Sequence, residues 1–264
     1  ILVYNEIERG IQIRSGRFRE DRIEVVGMPR MDRVHLAREA FAAEGRSVTK
    51  RPTVLFFLFN VKAGLPIIGR KCVDGGFEKL DDEVESLNIE DTAEGTYCAL
   101  LELAREHPDV RVVVKTKGDG ISNQTVARFF GPPMSRPANL EIMSGGDMFV
   151  ELRRAAVVGG LNTTSLLEAA ALGLPVVVPA FGSAADPEVA PLRLDLGSAA
   201  SYGASPDEMK VLLLAGATAG KWHAELSPET RQLLDQWVGN SDGRSAERVR
   251  RAIDRIVKAA GVSG

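Results

Sequence analysis

Cysteine and histidine are scarce in this chain of 264 residues, and neither residue type is grouped. The two cysteines, Cys72 and Cys98, lie far apart without the short spacing of a metal site. This arrangement excludes a disulfide scaffold and fits a reducing compartment. The three histidines, His35, His107 and His223, are equally dispersed and match no metal-binding or catalytic pattern. We therefore expect neither a bound metal ion nor another cofactor.

Long apolar runs and an excess of positive charge are also missing. The formal net charge is −3 and the isoelectric point is about 5.8, so composition gives no reason to expect a nucleic-acid partner. No apolar run approaches the roughly 18 to 20 residues that span a bilayer. The first residues lead directly into charged residues rather than into a signal peptide. We expect a cytoplasmic protein and, because Ile1 is not a start methionine, part of a longer chain.

Two apolar runs bounded by breaker residues flank a segment of helical periodicity. Thr53 to Phe59 and Val110 to Lys115 have the composition of strands that are covered on both faces. Glu94 to His107 repeats its apolar residues at helical spacing and ends before Pro108. The alternation predicts an α/β fold with a Rossmann-like, doubly wound parallel sheet.

Three helices in the last quarter of the chain are predicted from their starts and spacing. Serine followed by proline at the first helical position begins one helix at Ser205 and another at Ser227. A third, amphipathic helix is predicted from Ser245 to Ala260. Its arginines favour a solvated face, and contact with an anionic membrane surface is the alternative.

The connection from Asn60 to Asp91 is rich in glycine and then in acidic residues. A connection of that length is usually functional or mobile. Its Asp81-Asp82 pair is an incomplete match to an Asp-x-Asp metal motif.

The run from Ala155 to Pro179 contains a strand, a polar turn, a short helix and a second strand. Gly159 and Gly160 allow a tight turn, and Gly173 with Pro175 ends the helix. The helix start carries cap-forming side chains and no acid in its first turn: Asn162, Thr163, Thr164 and Ser165. Such a start leaves free N–H groups and a positive dipole end, which suit a phosphate group.

Glu168 has two interpretations. In one, Ser165 caps the helix and Glu168 only reaches back to the cap N–H as part of a capping box. In the other, the helix starts nearer Asn162, and Glu168 lies in its second turn and binds a ribose diol. Only seven residues separate a Ser165 start from the end of the helix, which favours the second interpretation.

Two lysines follow the predicted strand at residues 110–115. Because the carboxyl ends of parallel strands meet at one edge of the sheet, Asn60, Lys115 and the turn at Gly159 should lie at the same edge. Lys115 and Lys117 are either exposed surface residues or cations that neutralise a diphosphate leaving group.

Four segments, in order, resemble the glycosyltransferases of the two-Rossmann (GT-B) type. Gly159–Pro179 resembles their glutamate-bearing donor site, and Val25–Asp32 resembles a Val-x-Gly-x-Pro-Arg-x-Asp segment. Val113–Lys117 takes the place of an Ile-Lys-Pro-His-Pro segment, and Asp242–Arg248 is similar to Asp-Gly-Lys-Ala-Ser-x-Arg. The chain is most similar to bacterial capsule and surface-polysaccharide transferases, including the CDP-glycerol glycerophosphotransferase and Kdo-transferase relatives.

The resemblance implies the second half of a GT-B architecture. Residues 1–48 would be a remnant of the preceding domain and a linker, 49–240 the Rossmann-like domain that binds a nucleotide-sugar, and 241–264 a carboxyl-terminal amphipathic helix. The acceptor-binding domain, which often supplies the catalytic base, would lie outside this chain. No catalytic residue is therefore assigned.

The resemblance also implies roles for named residues. Gly160 and Asn162 to Ser165 would bind the phosphates of a nucleotide-sugar donor, and Glu168 its ribose. Lys115 and Lys117 would stabilise the departing nucleotide without an obligate metal ion, and a glycan would be the acceptor. Lys117 stands where many relatives have histidine, which favours a sugar over glycerol phosphate as the transferred group. A sugar-nucleotide 2-epimerase of the same fold and a non-catalytic module of a polysaccharide-assembly complex are the alternatives.

Overall fold

The computed structural model of the chain describes residues 1–44, 51–61, 88–220 and 222–259. Cys72, the Asp81-Asp82 pair and most of the connection from Asn60 to Asp91 lie outside the described residues. Across the described part, no helix is both long enough and apolar enough to cross a membrane.

Six parallel strands form the central sheet of the described structure. In chain order they are β3 (Thr53–Phe57), β4 (Arg111–Thr116), β5 (Leu140–Ser144), β6 (Val157–Gly159), β7 (Val176–Pro179) and β8 (Ser201–Gly203). Their spatial order is β5-β4-β3-β6-β7-β8, and every neighbouring pair is parallel. This is the 3-2-1-4-5-6 order of a Rossmann sheet, with its switch point between β3 and β6.

The described helices connect and cover these strands. They are α1 (Glu6–Arg14), α2 (Asp32–Glu44), α3 (Glu90–Glu106), α4 (Gly120–Phe130), α5 (Met148–Arg154), α6 (Thr164–Ala171), α7 (Pro206–Ala219), α8 (Pro228–Val238) and α9 (Ser245–Ala259). α3 contacts α4 and α7 on one face of the sheet, and α6 contacts α2 and α8 on the other. The predicted doubly wound α/β fold is therefore confirmed.

The strands and helix starts follow the predicted pattern closely. Every residue of β3 is buried, as its apolar run indicates, while α3 begins at Glu90, four residues before the predicted start. Ser205 and Ser227 accept hydrogen bonds from the N–H groups of Glu208 and Thr230, each at 3.1 Å. Both predicted caps are thus confirmed, because each serine satisfies an N–H that the helix itself cannot bond.

The first 25 residues form a small unit of their own. β1 (Leu2–Val3) and β2 (Glu24–Val25) pair in parallel and are joined through α1. The side chain of Asn5 donates to the Trp237 carbonyl at 2.7 Å, which ties this unit to α8. By contrast α2, which also lies within residues 1–48, places Val34 and Phe41 in the core of the main domain, and Met31, just before α2, is buried with them.

Asp32 joins two segments that lie more than 200 residues apart. Its carboxylate accepts hydrogen bonds from the backbone N–H of Ser245 at 3.1 Å and of Ala246 at 2.8 Å, and so caps α9. Arg248 returns to the first segment, because its Nε donates to the Val26 carbonyl at 3.1 Å. The linker segment (Val25–Asp32) and the start of α9 are therefore one structural unit.

Gly27 has no room for a side chain in this unit. Its φ is +77°, and a Cβ there would lie 2.3 Å from the Gly239 carbonyl oxygen and 2.2 Å from the Ser245 hydroxyl. The close approach of two backbone segments thus requires glycine.

We expect Gly27→Ala to lower the free energy of unfolding by about 2–5 kcal/mol, because it combines backbone strain with overpacking. Gly16→Ala is the matched control: its φ is +64°, but nothing lies within 4 Å of the added Cβ. That variant should lose only about 1–2 kcal/mol. Urea unfolding measures both, and equal losses would contradict the proposed contact.

Candidate functional site

The carboxyl ends of β3, β4 and β6 form one edge of the sheet, called here the carboxyl edge. Phe57 pairs with Lys115, and Phe56 pairs with Gly159, so the residues that follow these strands emerge side by side. The prediction that Asn60, Lys115 and the Gly159 turn share an edge is confirmed. In open α/β sheets this edge, at the switch point, is where ligands bind.

Helix α6 begins at this edge directly after β6. Thr163 is its N-cap, with an extended backbone and a hydroxyl oxygen that accepts from the Ser165 N–H at 3.3 Å. Ser165 is therefore inside the helix, and the capping-box interpretation of Ser165 and Glu168 is wrong. Glu168 lies in the second turn, as the alternative interpretation expected.

Asn162 anchors a neighbouring loop with its side chain. Its Nδ2 donates to the Leu192 carbonyl at 3.2 Å, and its Oδ1 accepts from the Leu194 N–H at 2.7 Å. The backbone of Asn162 has a φ of +50°, a left-handed conformation that asparagine tolerates better than most residues. The carboxamide of Asn162 thus holds the loop after β7, and the phosphate-binding role that the resemblance implies for this residue falls to its backbone.

The hydroxyls at the helix start also have protein partners. Thr164 Oγ1 accepts a hydrogen bond from Arg30 Nη2 at 2.7 Å, and the buried Ser165 hydroxyl lies 3.0 Å from the Met148 sulfur. Gly160 donates its N–H to the Val177 carbonyl at 3.3 Å. The Ser165 N–H is bonded to the Thr163 hydroxyl and the Leu166 N–H to the Thr163 carbonyl at 3.1 Å. Among the described contacts, the N–H of Thr164 and the positive end of the helix dipole are therefore left for an anion at the start of α6.

Glu168 is the most unusual side chain at this edge. It is only 3% exposed, and its Oε1 pairs with Arg30 Nε at 2.9 Å. Its Oε2 is buried and has no hydrogen-bond partner among the described residues. Burial raises the pKa of Glu168, and the positive charge of Arg30 opposes this shift. A buried carboxylate oxygen without a partner costs free energy, and a hydrogen bond from a hydroxyl donor would lower that cost.

Lys115 lies on β4 and Lys117 follows its last residue, and β4 is two strands from β6 and so about 10 Å away across the sheet. Lys115 Nζ donates to the Thr116 carbonyl at 3.2 Å. Burial lowers the pKa of Lys115, while the charge of Glu151 opposes that shift. Lys117 is exposed just beyond the strand. Both lysines are at the carboxyl edge, but neither is among the contacts of Glu168.

Arg30 is the site residue that sequence reasoning missed. It lies in a short 3₁₀ turn, Pro29–Met31, within the linker segment, and it reaches α6 across 134 to 138 positions of sequence. The Pro-Arg-x-Asp resemblance includes Arg30, but that pattern does not predict which carboxylate the arginine contacts. Only the packing of α2 against α6 brings the two together.

The first half of α3 contacts residues that follow β3 and β7 at the carboxyl edge. The Asp91 carboxylate accepts from the Ser183 N–H at 3.0 Å, and the Thr92 hydroxyl donates to the Phe181 carbonyl at 2.8 Å. The Tyr97 hydroxyl accepts from the Phe59 N–H at 3.0 Å and also donates to the Phe59 carbonyl. Phe59, which lies just after β3, and the loop after β7 are therefore held by the same helix. Within the described ranges, no cluster of His, Cys, Asp or Glu side chains is arranged to hold a metal ion.

No protein-family model and no curated protein sequence matches this chain. Solved structures do match. The wall teichoic acid polymerase TagF is 11% identical with a TM-score of 0.55, and the match covers 98% of this chain and 58% of that chain. A UDP-GlcNAc 2-epimerase from Methanocaldococcus jannaschii, in complex with UDP-GlcNAc and UDP, is 15% identical with a TM-score of 0.51, covering 97% and 60%. Another from Neisseria meningitidis, bound to UDP-GlcNAc, is 13% identical with a TM-score of 0.50, covering 95% and 60%.

These likenesses show the fold: the domain is a Rossmann-like half of a GT-B architecture. The chain spans less than two thirds of the length of each of these structures. The identities are too low to carry over the activity of any of them.

We expect substitutions at Asn162 to release the loop after β7. Asn162→Gly keeps the backbone conformation but removes both side-chain bonds, and it should lower the free energy of unfolding by about 1–2 kcal/mol. Asn162→Ala should lose about 1 kcal/mol more, because alanine is strained at this φ and glycine is not. Urea unfolding gives these values. Hydrogen exchange at the Leu194 N–H should accelerate in both variants, and unchanged exchange would show that the loop is held otherwise.

Proposed function

We propose that this chain is the donor-binding half of a glycosyltransferase that moves a sugar from a nucleotide-sugar to a surface or capsular polysaccharide. The observation that supports this most is the buried, unpartnered Oε2 of Glu168 at the switch point of the sheet. This oxygen lacks a hydrogen-bond donor, and a ribose hydroxyl can supply one. The adjacent start of α6 suits the phosphates of the same ligand.

The charge at the carboxyl edge supports a leaving nucleoside diphosphate. In the proposed reaction an acceptor hydroxyl forms a bond to the anomeric carbon, and the bond from that carbon to the diphosphate oxygen breaks. The electron pair leaves with the diphosphate, whose negative charge the start of α6, Lys115 and Lys117 would stabilise. This arrangement needs no obligate metal ion or other cofactor. The base that takes the acceptor proton is expected outside this chain.

The positions of the histidines support sugar transfer over chemistry that needs a histidine acid. His107 ends α3 before β4 begins, and the backbone N–H of His223 donates to the Gly173 carbonyl just before β7. His35 Nε2 lies 3.1 Å from the Asn240 carbonyl, beside α9. Thus His107 and His223 lie toward the opposite edge of the sheet from the carboxyl edge, and His35 contacts the segment that leads into α9.

A sugar-nucleotide 2-epimerase is the second candidate, because the fold matches two such enzymes as well as the polymerase. The dispersed histidines weigh against it. Incubating the chain with UDP-GlcNAc and following its sugar protons by NMR tests this candidate: isomerisation would support the epimerase and overturn the transferase proposal.

We also propose a cytoplasmic location with peripheral contact at the inner face of the membrane. Helix α9 exposes three apolar side chains, Ile253, Ile256 and Val257, at 49%, 62% and 41%. Its basic residues could meet anionic lipids beside them. Sedimentation with vesicles of anionic and of neutral lipid tests this contact.

We expect a matching nucleotide to raise the melting temperature. At 100 times its Kd, a ligand stabilises a protein by about 2.7 kcal/mol, which corresponds to roughly 5–10 °C for a domain of this size. Differential scanning fluorimetry with CMP, CDP, UMP, UDP and GDP identifies the nucleotide. Glu168→Gln should reduce the shift to about half, because an amide oxygen is a weaker acceptor than a carboxylate and a tenfold weaker Kd leaves about 1.4 kcal/mol at the same nucleotide concentration.

Glu151→Gln is the matched control for this measurement. Glu151 is also a buried glutamate paired with an arginine, Arg111, but it lies on α5 near the start of β4. Because its charge acts on Lys115, its loss removes negative charge near the proposed diphosphate site, so it should lower the melting temperature without reducing the nucleotide-induced shift. If no nucleotide shifts the melting temperature of the unmodified chain, the donor-site proposal is wrong.

A further inference from the structure

Arg30 projects from a turn that is held at both ends. Met28 donates its N–H to the Val238 carbonyl at 2.9 Å and accepts from Asn240 Nδ2 at 3.0 Å. Met31, on the other side, is fully buried in the core. The backbone of Arg30 is therefore fixed by α8 and by the segment that leads into α9.

The guanidinium of Arg30 makes two contacts with α6. Its Nε lies 2.9 Å from Glu168 Oε1, and its Nη2 donates to Thr164 Oγ1 at 2.7 Å. The Arg30 side chain is 54% exposed, whereas that of Glu168 is 4% exposed. The arginine thus covers the buried carboxylate from the solvent side and links it to the first residue of the helix.

A purely structural ion pair would be expected to satisfy both carboxylate oxygens, as a bidentate arginine does. Here the second guanidinium nitrogen binds Thr164 instead, and Oε2 keeps no partner. One oxygen of the carboxylate is therefore held by Arg30, while the other is left without a donor among the described residues. This is the arrangement of a binding site whose receptor group is held ready before the ligand arrives.

Arg30 is also the charged group that acts on Glu168 in the described structure. On α2, Arg38 donates to the Ala171 carbonyl at the other end of α6, and the charge of Arg231 of α8 acts on Arg38. Arg33 pairs with Asp147 at 3.3 Å. No second cation therefore replaces Arg30 beside Glu168 within these described elements.

We propose that Arg30 is a positioning residue of the ribose subsite: it holds Glu168 ionised and oriented so that Oε2 accepts a hydrogen bond from a ribose hydroxyl. This inference rests on the proposed nucleotide-binding function. It adds that ribose recognition depends on the linker segment, which lies outside the central sheet. Nucleotide affinity would then respond to whatever shifts that segment.

The experiment compares Arg30→Ala and Arg30→Lys with the unmodified chain and with Arg33→Ala as the control. Arg33 is a neighbouring half-exposed arginine that stacks on Phe149 and pairs with Asp147. Two readouts are measured. The first is the titration of Glu168 in the free protein, by carbon NMR of its carboxyl group and assigned with Glu168→Gln. The second is the Kd of UDP, CDP and their 2′-deoxy and 3′-deoxy forms across pH 5.5 to 8.5.

We expect the unmodified chain to prefer a ribonucleotide by about tenfold or more, the value of a hydrogen bond to a charged group. Arg30→Ala should raise the titration midpoint of Glu168, because burial then acts without an opposing charge. Its ribose preference should fall to about twofold at a pH where Glu168 is protonated and return as the pH rises, when Glu168 ionises again. Arg30→Lys should retain much of the preference, and Arg33→Ala all of it.

The outcomes separate the inference from the function on which it rests. If the unmodified chain prefers ribose and Arg30→Ala keeps both that preference and the Glu168 midpoint, the inference is overturned while the proposed function stands. If the unmodified chain binds these nucleotides but does not distinguish ribose from deoxyribose, the ribose subsite is wrong, whatever the midpoint does. If it binds none of them, both proposals fail. Circular dichroism on each variant shows whether a loss reflects unfolding.

Discussion

The carboxylate of Asp32 is the contact on which the arrangement of this molecule depends. It accepts from two backbone N–H groups at the start of α9 and from Asn240 Nδ2 at 2.6 Å. Asn240 in turn bonds Met28, so one carboxylate fixes the end of α8, the start of α9 and the linker segment. Because Arg30 lies two residues before Asp32, the same contact determines where the guanidinium meets α6. A helix cap far from the sheet thereby shapes the candidate site.

The burial of the Glu168 carboxylate is unfavourable for folding but can favour ligand binding. Burying a carboxylate costs free energy unless charges and hydrogen bonds compensate. Arg30 compensates one oxygen, and the other remains without a protein partner. The surrounding structure is rigid enough to keep it so, because α6 packs between α2 and α8. A ligand hydroxyl that fills this position would recover part of the cost, which makes the unsatisfied oxygen an argument for binding rather than a flaw in packing.

Much of the fold follows from local patterns. β3 and β4 are apolar because helices cover both of their faces, and Ser205 and Ser227 begin helices because their hydroxyls satisfy otherwise unbonded N–H groups. β5 and β8 were not predicted. β5 reads Leu-Glu-Ile-Met-Ser and β8 is three residues long, so neither has the continuous apolar run that marks a central strand. Edge strands have one free side, and their sequences are less constrained.

Part of the candidate site likewise follows from local sequence patterns, and part of it depends on the tertiary structure. The sequence alone predicted the type of site, because glycines after a strand, cap-forming residues without an acid and a glutamate in the second helical turn are typical of an anion-binding helix start. It also determined the shared edge, since parallel strands end together. Only the tertiary structure decided what each side chain contacts. Asn162 binds a loop 30 residues away, and Arg30 contacts Glu168 across 138 positions of sequence. Packing between helices, and not sequence spacing, brings these side chains together.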